Sequence, residues 1–357
     1  IGAAAFRGCS NIKELNLNDD ITSIGEHCFQ ECISLKKTNI PTSLVDIKDY
    51  TYYNCDSLVN VECPNNLKTI GNYAFAKCDN LYNINLGNSL LEIKSNAFSD
   101  CLSLTDIVFP DTLVTIGNYA FYNCTSITNI SFKDSLENIG SYAFSGCTSL
   151  KEIKYNDGLQ TIGNYSFQNT IITSLKVPDS VVSIGTGAYK GCNNLEEIEM
   201  PFVGASRDAV GPEATFGYIF GYETRSAAEY EDYDYYNSSL SSKYYTYGYI
   251  YNATTYERIG QLKSDTSYVG KKLTDLNYYD WIIYKYYDGK YNESWTPTGT
   301  TFQYSCYGSP STTPNYGHFQ SYFYYIPSSI EKVTVTDANQ IGAAAFRGCS
   351  NIKELNL

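Results

Sequence analysis

Residues 70–86 read IGNYAFAKCDNLYNINL, and residues 139–155 read IGSYAFSGCTSLKEIKY. Both follow one frame, I-G-x-x-A-F-x-x-C-x-x-L-x-x-I-x-I, which recurs with a step of 23 residues. Cys9, Cys32, Cys55, Cys78, Cys101, Cys124 and Cys147 mark that step. An aromatic column keeps the same register: Phe6, Phe29, Tyr52, Phe75, Phe98, Phe121, Phe144, Phe167 and Tyr189. So does an isoleucine column, from Ile1 and Ile24 through Ile162 and Ile184. One unit departs: Thr170 takes the cysteine position and one residue is lost, so the step to Cys192 is 22.

A unit of this length cannot bury a core alone, whereas stacked coils cover each other's apolar columns. The L-x-x-I-x-I piece alternates and reads as a short strand, with Leu104, Ile107 and Phe109 inward and Asp106 and Val108 outward. A second extended side runs from Leu113 to Ile116, and A-F-x-x-C supplies a turn. The glycine after the isoleucine is expected to serve a backbone position with unusual dihedrals. Strands stacked ~4.8 Å apart make nine coils a rod of roughly 45 Å.

The frame, extended to IGxxAFxxCxxLxxIxIPxxL, resembles the BspA-like leucine-rich repeats of bacterial and protist surface proteins over residues 1–200 and 330–357. That resemblance implies a β-rich, right-handed leucine-rich-repeat solenoid with a parallel sheet along one face. It also implies a location outside the cell or on its surface, and adhesion as one role.

Twelve cysteines would ordinarily suggest disulfides in such a setting. Nine of them share one column, and Cys28 and Cys63 replace core residues, so buried thiols are expected. A parallel stack points neighbouring thiols the same way, which is poor disulfide geometry. Metal binding is the weakest reading, with no CxxC pair and no histidine nearby; Cys306 has no assigned role.

From about Pro201 to Ser329 the period is lost, and this stretch holds 25 of the 36 tyrosines and both tryptophans. The expected organisation is therefore a nine-coil solenoid over 1–200, a Tyr-rich and mainly β insertion over 201–329, and a resumed solenoid over 330–357. KYYTYGYIYNATTYERIGQL predicts a hairpin turning at Asn252–Thr255, with Tyr245, Tyr247, Tyr249 and Tyr251 on one face. YYDWIIYKYYDGKYNESW predicts a second hairpin with its turn at Asp288–Gly289, and 229–236 and 306–317 read as loops. The tyrosines, with Trp281 and Trp295, are either the core of a small domain, a protein contact or a sugar-binding face. The acids at 229–234 read as a solvated run, because their spacing matches no calcium loop. Six N-x-S/T sequons are weak evidence for glycosylation in so Asn-rich a chain.

The formal charge of −13 argues against nucleic acid and anionic membrane surfaces as partners. No apolar run approaches the length of a membrane span. His27 reads as a surface residue, no catalytic motif is visible, and no enzyme activity, metal or cofactor is expected. Strand alternation nominates an outward face for binding: Asn60, Asn83, Asn85, Asp106, Asn129, Glu152, Lys154, Lys176, Glu197 and Glu199.

IGAAAFRGCSNIKELNL stands at both 1–17 and 341–357. Neighbouring coils share little beyond their core columns, so this identity exceeds what structure demands. It is expected to reflect a larger unit of 340 residues, copied in tandem or cut with an overlap, in which the stack runs past the insertion and Ile198 pairs with Val333. The expected partners are further copies or adjacent units in a fibre or surface layer, with a host or matrix protein, or a glycan, as alternatives.

Overall fold

The structure is a computed structural model that describes residues 1–357 except 210, 227–247, 253–257, 262–280, 286–299, 310–317, 338–340, 342–344, 347–348 and 350. Coils are numbered from their leading isoleucine: one at Ile1, two at Ile24, and so on to nine at Ile184.

Coils three to nine each lay down two short parallel strands, one on either side. On the second side, seven two-residue strands from Asp46–Ile47 to Ser183–Ile184 form one sheet, with Ile47, Ile70, Ile93, Ile116, Ile139, Ile162 and Ile184 in register. On the first side the L-x-x-I-x-I strands pair as expected, with Asn60, Asn83 and Asp106 abreast. This side is hydrogen-bonded in three runs: Glu14–Leu15 to Asp106–Ile107, Asn129–Ser131 with Glu152–Lys154, and Ser174–Lys176 onward. The second break coincides with coil eight, the unit that lost a residue; there the Ile171 N–H reaches the Leu150 carbonyl before register is restored at Leu175 and Ile198.

The turn side explains the rest of the frame. Two positions per coil lie in the left-handed region: the Tyr50, Tyr73, Asn96, Tyr119, Tyr142 column (φ 54–58°) and the Asn54, Lys77, Asp100, Asn123 column (φ 56–60°). The glycine after the isoleucine is not among them, contrary to the dihedral expectation. A Cβ on Gly25 would lie 2.4 Å from the Ala3 nitrogen, and one on Gly163 2.4 Å from the Ser141 nitrogen, so close approach of the preceding coil selects glycine. Lys48 and Lys94 occupy the same column, which makes the requirement local.

Inside, the aromatic column is a continuous stack from Phe6 to Tyr189 with ring centroids 5.1–5.8 Å apart. The cysteine column runs beside it. In every coil that carries the cysteine, the Phe-column carbonyl accepts that cysteine's N–H, as Phe75 does from Cys78 at 3.3 Å. Its second lone pair accepts the next coil's thiol: Cys101 Sγ donates to the Phe75 oxygen at 3.1 Å, and Cys55, Cys78, Cys124 and Cys147 bond likewise. A thiol is apolar enough for this interior and still a donor, which accounts for the choice of cysteine. Thr170 bonds its own coil's Phe167 carbonyl and lies 3.2 Å from Cys192 Sγ. Among the described residues eleven cysteines are free thiols.

The insertion leaves the stack continuous. Glu197–Met200 pairs in parallel with Lys332–Val335, Ile198 opposite Val333, and that strand pairs with Glu354–Asn356. The boundary at 201 needs correcting, however. Phe202, Val203, Phe216, Ile219 and Phe220 belong to the solenoid core. The Tyr189 N–H donates to the Ile219 carbonyl and the Phe216 N–H to the Ala345 carbonyl, so 201–221 supplies the second side and turn of coil ten. Arg207 ties the two flanks together: its guanidinium bonds Asp337 and the Asp179 and Val181 carbonyls, each at 2.9 Å.

Beyond Gly221 the chain enters a six-stranded antiparallel sheet. The first expected hairpin is present as Gly248–Asn252 against Arg258–Gln261. The second is not built as expected: the partners of Trp281–Lys285 are Gly248–Asn252 on one edge and Thr300–Ser309 on the other, and a strand has two edges. Cys306 to Ser309, read as loop from sequence, is strand, paired with His318–Pro327. The acidic run 229–236 lies outside the described residues.

Phe121→Ala should cost about 3–5 kcal/mol in denaturant unfolding, because it removes one ring from the buried stack. Burial pushes the thiols of Cys32 and Cys192 from 9.0 up to about 11, and that of Cys63 to about 12. Unfolded thiols release protons near their ordinary value while the folded ones keep theirs, so stability is full below that value and falls as pH rises through about 9 to 11. Unfolding midpoints across that range should show the loss, and thiol reagents at neutral pH should label the buried column only in denaturant.

Candidate functional site

Alternation along a strand turns every second side chain to solvent, and stacking aligns those side chains into a face. Asn60, Asn83, Asn85, Asn129, Glu152, Lys154, Lys176 and Glu197 are all exposed on this face, and Glu199 is half-buried. Asp106 lies in the strand between Asn83 and the Asn129 coil, but its side chain is outside the described residues. The sequence reading therefore brought nine of its ten strand-face residues, as far as side chains are described, to one surface.

Charge on this face is segregated. Lys37 meets Glu14 at 3.2 Å at one end. At the other, Lys154 meets Glu152 at 3.2 Å, Lys176 meets Glu199 at 2.9 Å, and Lys332 meets Glu197 at 2.7 Å. Glu199 accepts a hydrogen bond from Lys176 and holds that ammonium above its ordinary range. Between these groups, coils three to six present Asn60, Asn83, Asn85, Asn129 and Ser131, with Glu62 as a charge and no ion pair among the described residues. Val108 stands in this stretch 78% exposed, and Tyr82 of the preceding coil is 54% exposed. An apolar side chain held outward by strand geometry, amid amides that can donate and accept, suits contact with a polypeptide.

The aromatic candidates divide. Tyr249 and Tyr251 lie in the strand Gly248–Asn252, and Trp281 lies in the neighbouring strand opposite Asn252. Tyr245, Tyr247 and Trp295 lie outside the described residues.

Sequence reasoning missed a second ladder, on the turn corner. The residue two before the Phe column is often tyrosine, as in IGNYAF and IGSYAF, and that recurrence was the available signal. Its left-handed backbone aims the rings along the rod. His27, Tyr50 and Tyr73 stack at 4.7 and 4.8 Å; Tyr119, Tyr142 and Tyr165 stack at 4.7 and 4.9 Å. His27 is thus half-buried in a ring stack, with Nδ1 2.6 Å from Gln30 Oε1, rather than a plain surface residue. At the far end the ammonium of Lys190 lies 5.9 Å from the Tyr165 ring and 5.3 Å from Tyr325 at the insertion's base.

Among the described residues no His, Cys, Asp and Glu group could hold a metal ion, and no helix is long and apolar enough to cross a membrane.

A model of the BspA type leucine rich repeat region matches residues 1–127, 114–204 and 314–357, in six copies. No curated protein matches the chain. Among solved structures, a leucine-rich repeat protein from Bacteroides ovatus is 32% identical with a TM-score of 0.53, over 56% of this chain and 52% of that one. This chain therefore spans about half the length of that protein. The T. pallidum leucine rich repeat protein is 32% identical with a TM-score of 0.38, over 43% of this chain and 72% of that one. A leucine rich cell surface protein from Faecalibacterium prausnitzii is 20% identical with a TM-score of 0.29, over 56% and 76%.

Proposed function

The chain belongs to the BspA type leucine-rich repeat family, and from that premise we propose that it acts as a non-enzymatic scaffold outside the cell or on its surface, as one unit of a long continuous solenoid. The observation that supports this reading is the fit of coil eleven. Its sequence, 341–357, is that of coil one, and its strand stacks in register on the coil ten strand that itself pairs with coil nine across the insertion. In coil one the same sequence stacks on coil two, with Glu14 opposite Lys37. A 340-residue unit so built can join to a copy of itself with every strand edge paired, and buried edges are what a repeat stack requires. Its partners in this reading are copies of itself or adjacent units.

A second reading, adhesion to a host or matrix protein through the strand face, is favoured by the uncompensated stretch around Val108. Glycan binding by tyrosines of the insertion rests on composition alone.

Two joined units, examined by small-angle scattering or electron microscopy, should form one rod that lengthens by about 48 Å per unit, ten coils at ~4.8 Å. Two globules at variable separation would overturn the reading. For the adhesive reading, Val108→Glu should reduce attachment to cultured host cells about tenfold, a difference of ~1.4 kcal/mol. Lys154→Glu, which disrupts a flanking ion pair, should reduce it less; equal loss in both would remove the central stretch from consideration.

A further inference from the structure

The corner ladder lacks one rung. His27, Tyr50 and Tyr73 make one stack and Tyr119, Tyr142 and Tyr165 the other, and coil five between them carries Asn96 in the ring position. Asn96 has the same left-handed backbone as its neighbours, φ 58° against 54° at Tyr73 and 58° at Tyr119, so its side chain leaves the coil where a ring would. Tyr73 and Tyr119 are two coil spacings apart, about 9.6 Å. Each turns toward Asn96 the ring face that its own stack leaves uncovered.

The gap is also widened sideways. Tyr53 packs tilted and Tyr122 edge-on beside the ladder, at 5.6 Å from Tyr50 and 5.7 Å from Tyr119. Coil five has Ser99 in that column. That column is small in coils four and seven too, at Ala76 and Ser145, but only coil five combines it with a missing rung, and the result is a notch one ring thick, walled by two aromatic faces and floored by an amide and a hydroxyl. The Ser99 hydroxyl donates to Asp100, whose other oxygen accepts from Asn123 at 3.1 Å.

We propose that this notch binds a single neutral pyranose ring, as the terminal residue of a polysaccharide or glycan. A flat ring between Tyr73 and Tyr119 lies at ordinary stacking distance from both. A pyranose offers apolar C–H faces to the two walls and hydroxyls around its edge to the Asn96 amide. An aromatic ring seated there would cover that amide without pairing it, at the cost of an unsatisfied polar group. The nearby Asp100 and the chain's net charge of −13 select against acidic sugars. This site is separate from the strand face and from the tyrosines of the insertion, and it does not depend on how units join.

The test uses the whole chain with methyl glucoside, methyl galactoside, methyl mannoside and N-acetylglucosamine at millimolar concentration, read by saturation-transfer NMR, with phenol as the aromatic alternative. At least one sugar should show transfer, and Asn96→Tyr should weaken its binding by about tenfold or more. That variant restores the missing rung in a backbone conformation tyrosine already adopts in adjacent coils, so its melting temperature should equal or exceed that of the parent. Tyr119→Ala, which removes one wall, should weaken binding as well. Absence of transfer for all four sugars, saturation by phenol alone, or sugar binding that survives Asn96→Tyr in a folded protein would each overturn the proposal.

Discussion

Everything in this molecule depends on one constraint: each coil must place its backbone one hydrogen-bond spacing above the last. The parallel pairs of the second side, Ile70 on Ile93 on Ile116, fix that spacing. Once it is fixed, equivalent side chains fall into straight columns, and a column repeats whatever chemistry its position allows. A ring in the core position stacks on the ring below. A thiol beside it finds the carbonyl of the coil before. A charge or amide on the outward strand position becomes part of a face. The glycine after the isoleucine belongs to the same constraint, since a Cβ there would meet the backbone of the neighbouring coil.

Columns also explain how the stack survives its irregularities. Coil eight loses a residue, and the first-side hydrogen-bonding is interrupted there, but Thr170 keeps a donor in the cysteine column. Coil ten is split by the insertion, yet its parts are held by the same means: Ile219 accepts from the coil before, Phe216 donates to the coil after, and Arg207 bonds Asp337 across the split. The turn corner and the strand face differ in what they expose. The strand face offers amides and a few aliphatics, whereas the corner offers ring edges and, at Asn96, two ring faces.

The solenoid was legible because its signal is repeated nine times over, and alternation within L-x-x-I-x-I left one register for the outward residues. Ile198 opposite Val333 followed from Ile330, Val333 and Val335 resuming the strand columns. What escaped was anything set by contacts between coils. The role of Gly25 or Gly163 is defined by the coil before, and a single coil gives no sign of it. FGYIF at 216–220 fills a turn level without the frame's spacing, so it read as insertion. The Tyr50 column was visible as a recurrence, but its meaning as a ring stack needs the left-handed backbone that aims it. Strand partners in the insertion failed for a related reason: Asp288–Gly289 suggested a local hairpin, while the described partners of Trp281–Lys285 are distant in sequence.

The central claim is that the stack passes from coil nine to coil ten without a break. Spin labels placed on the outward residues Glu199 and Thr334, which sit abreast in adjacent parallel strands, test it most directly. Their Cα atoms should be about 4.8 Å apart, so the continuous-wave spectrum of the doubly labelled protein should be strongly dipolar-broadened relative to the sum of the single labels. An unbroadened spectrum, with the labels tens of ångströms apart, would mean that the insertion divides the rod.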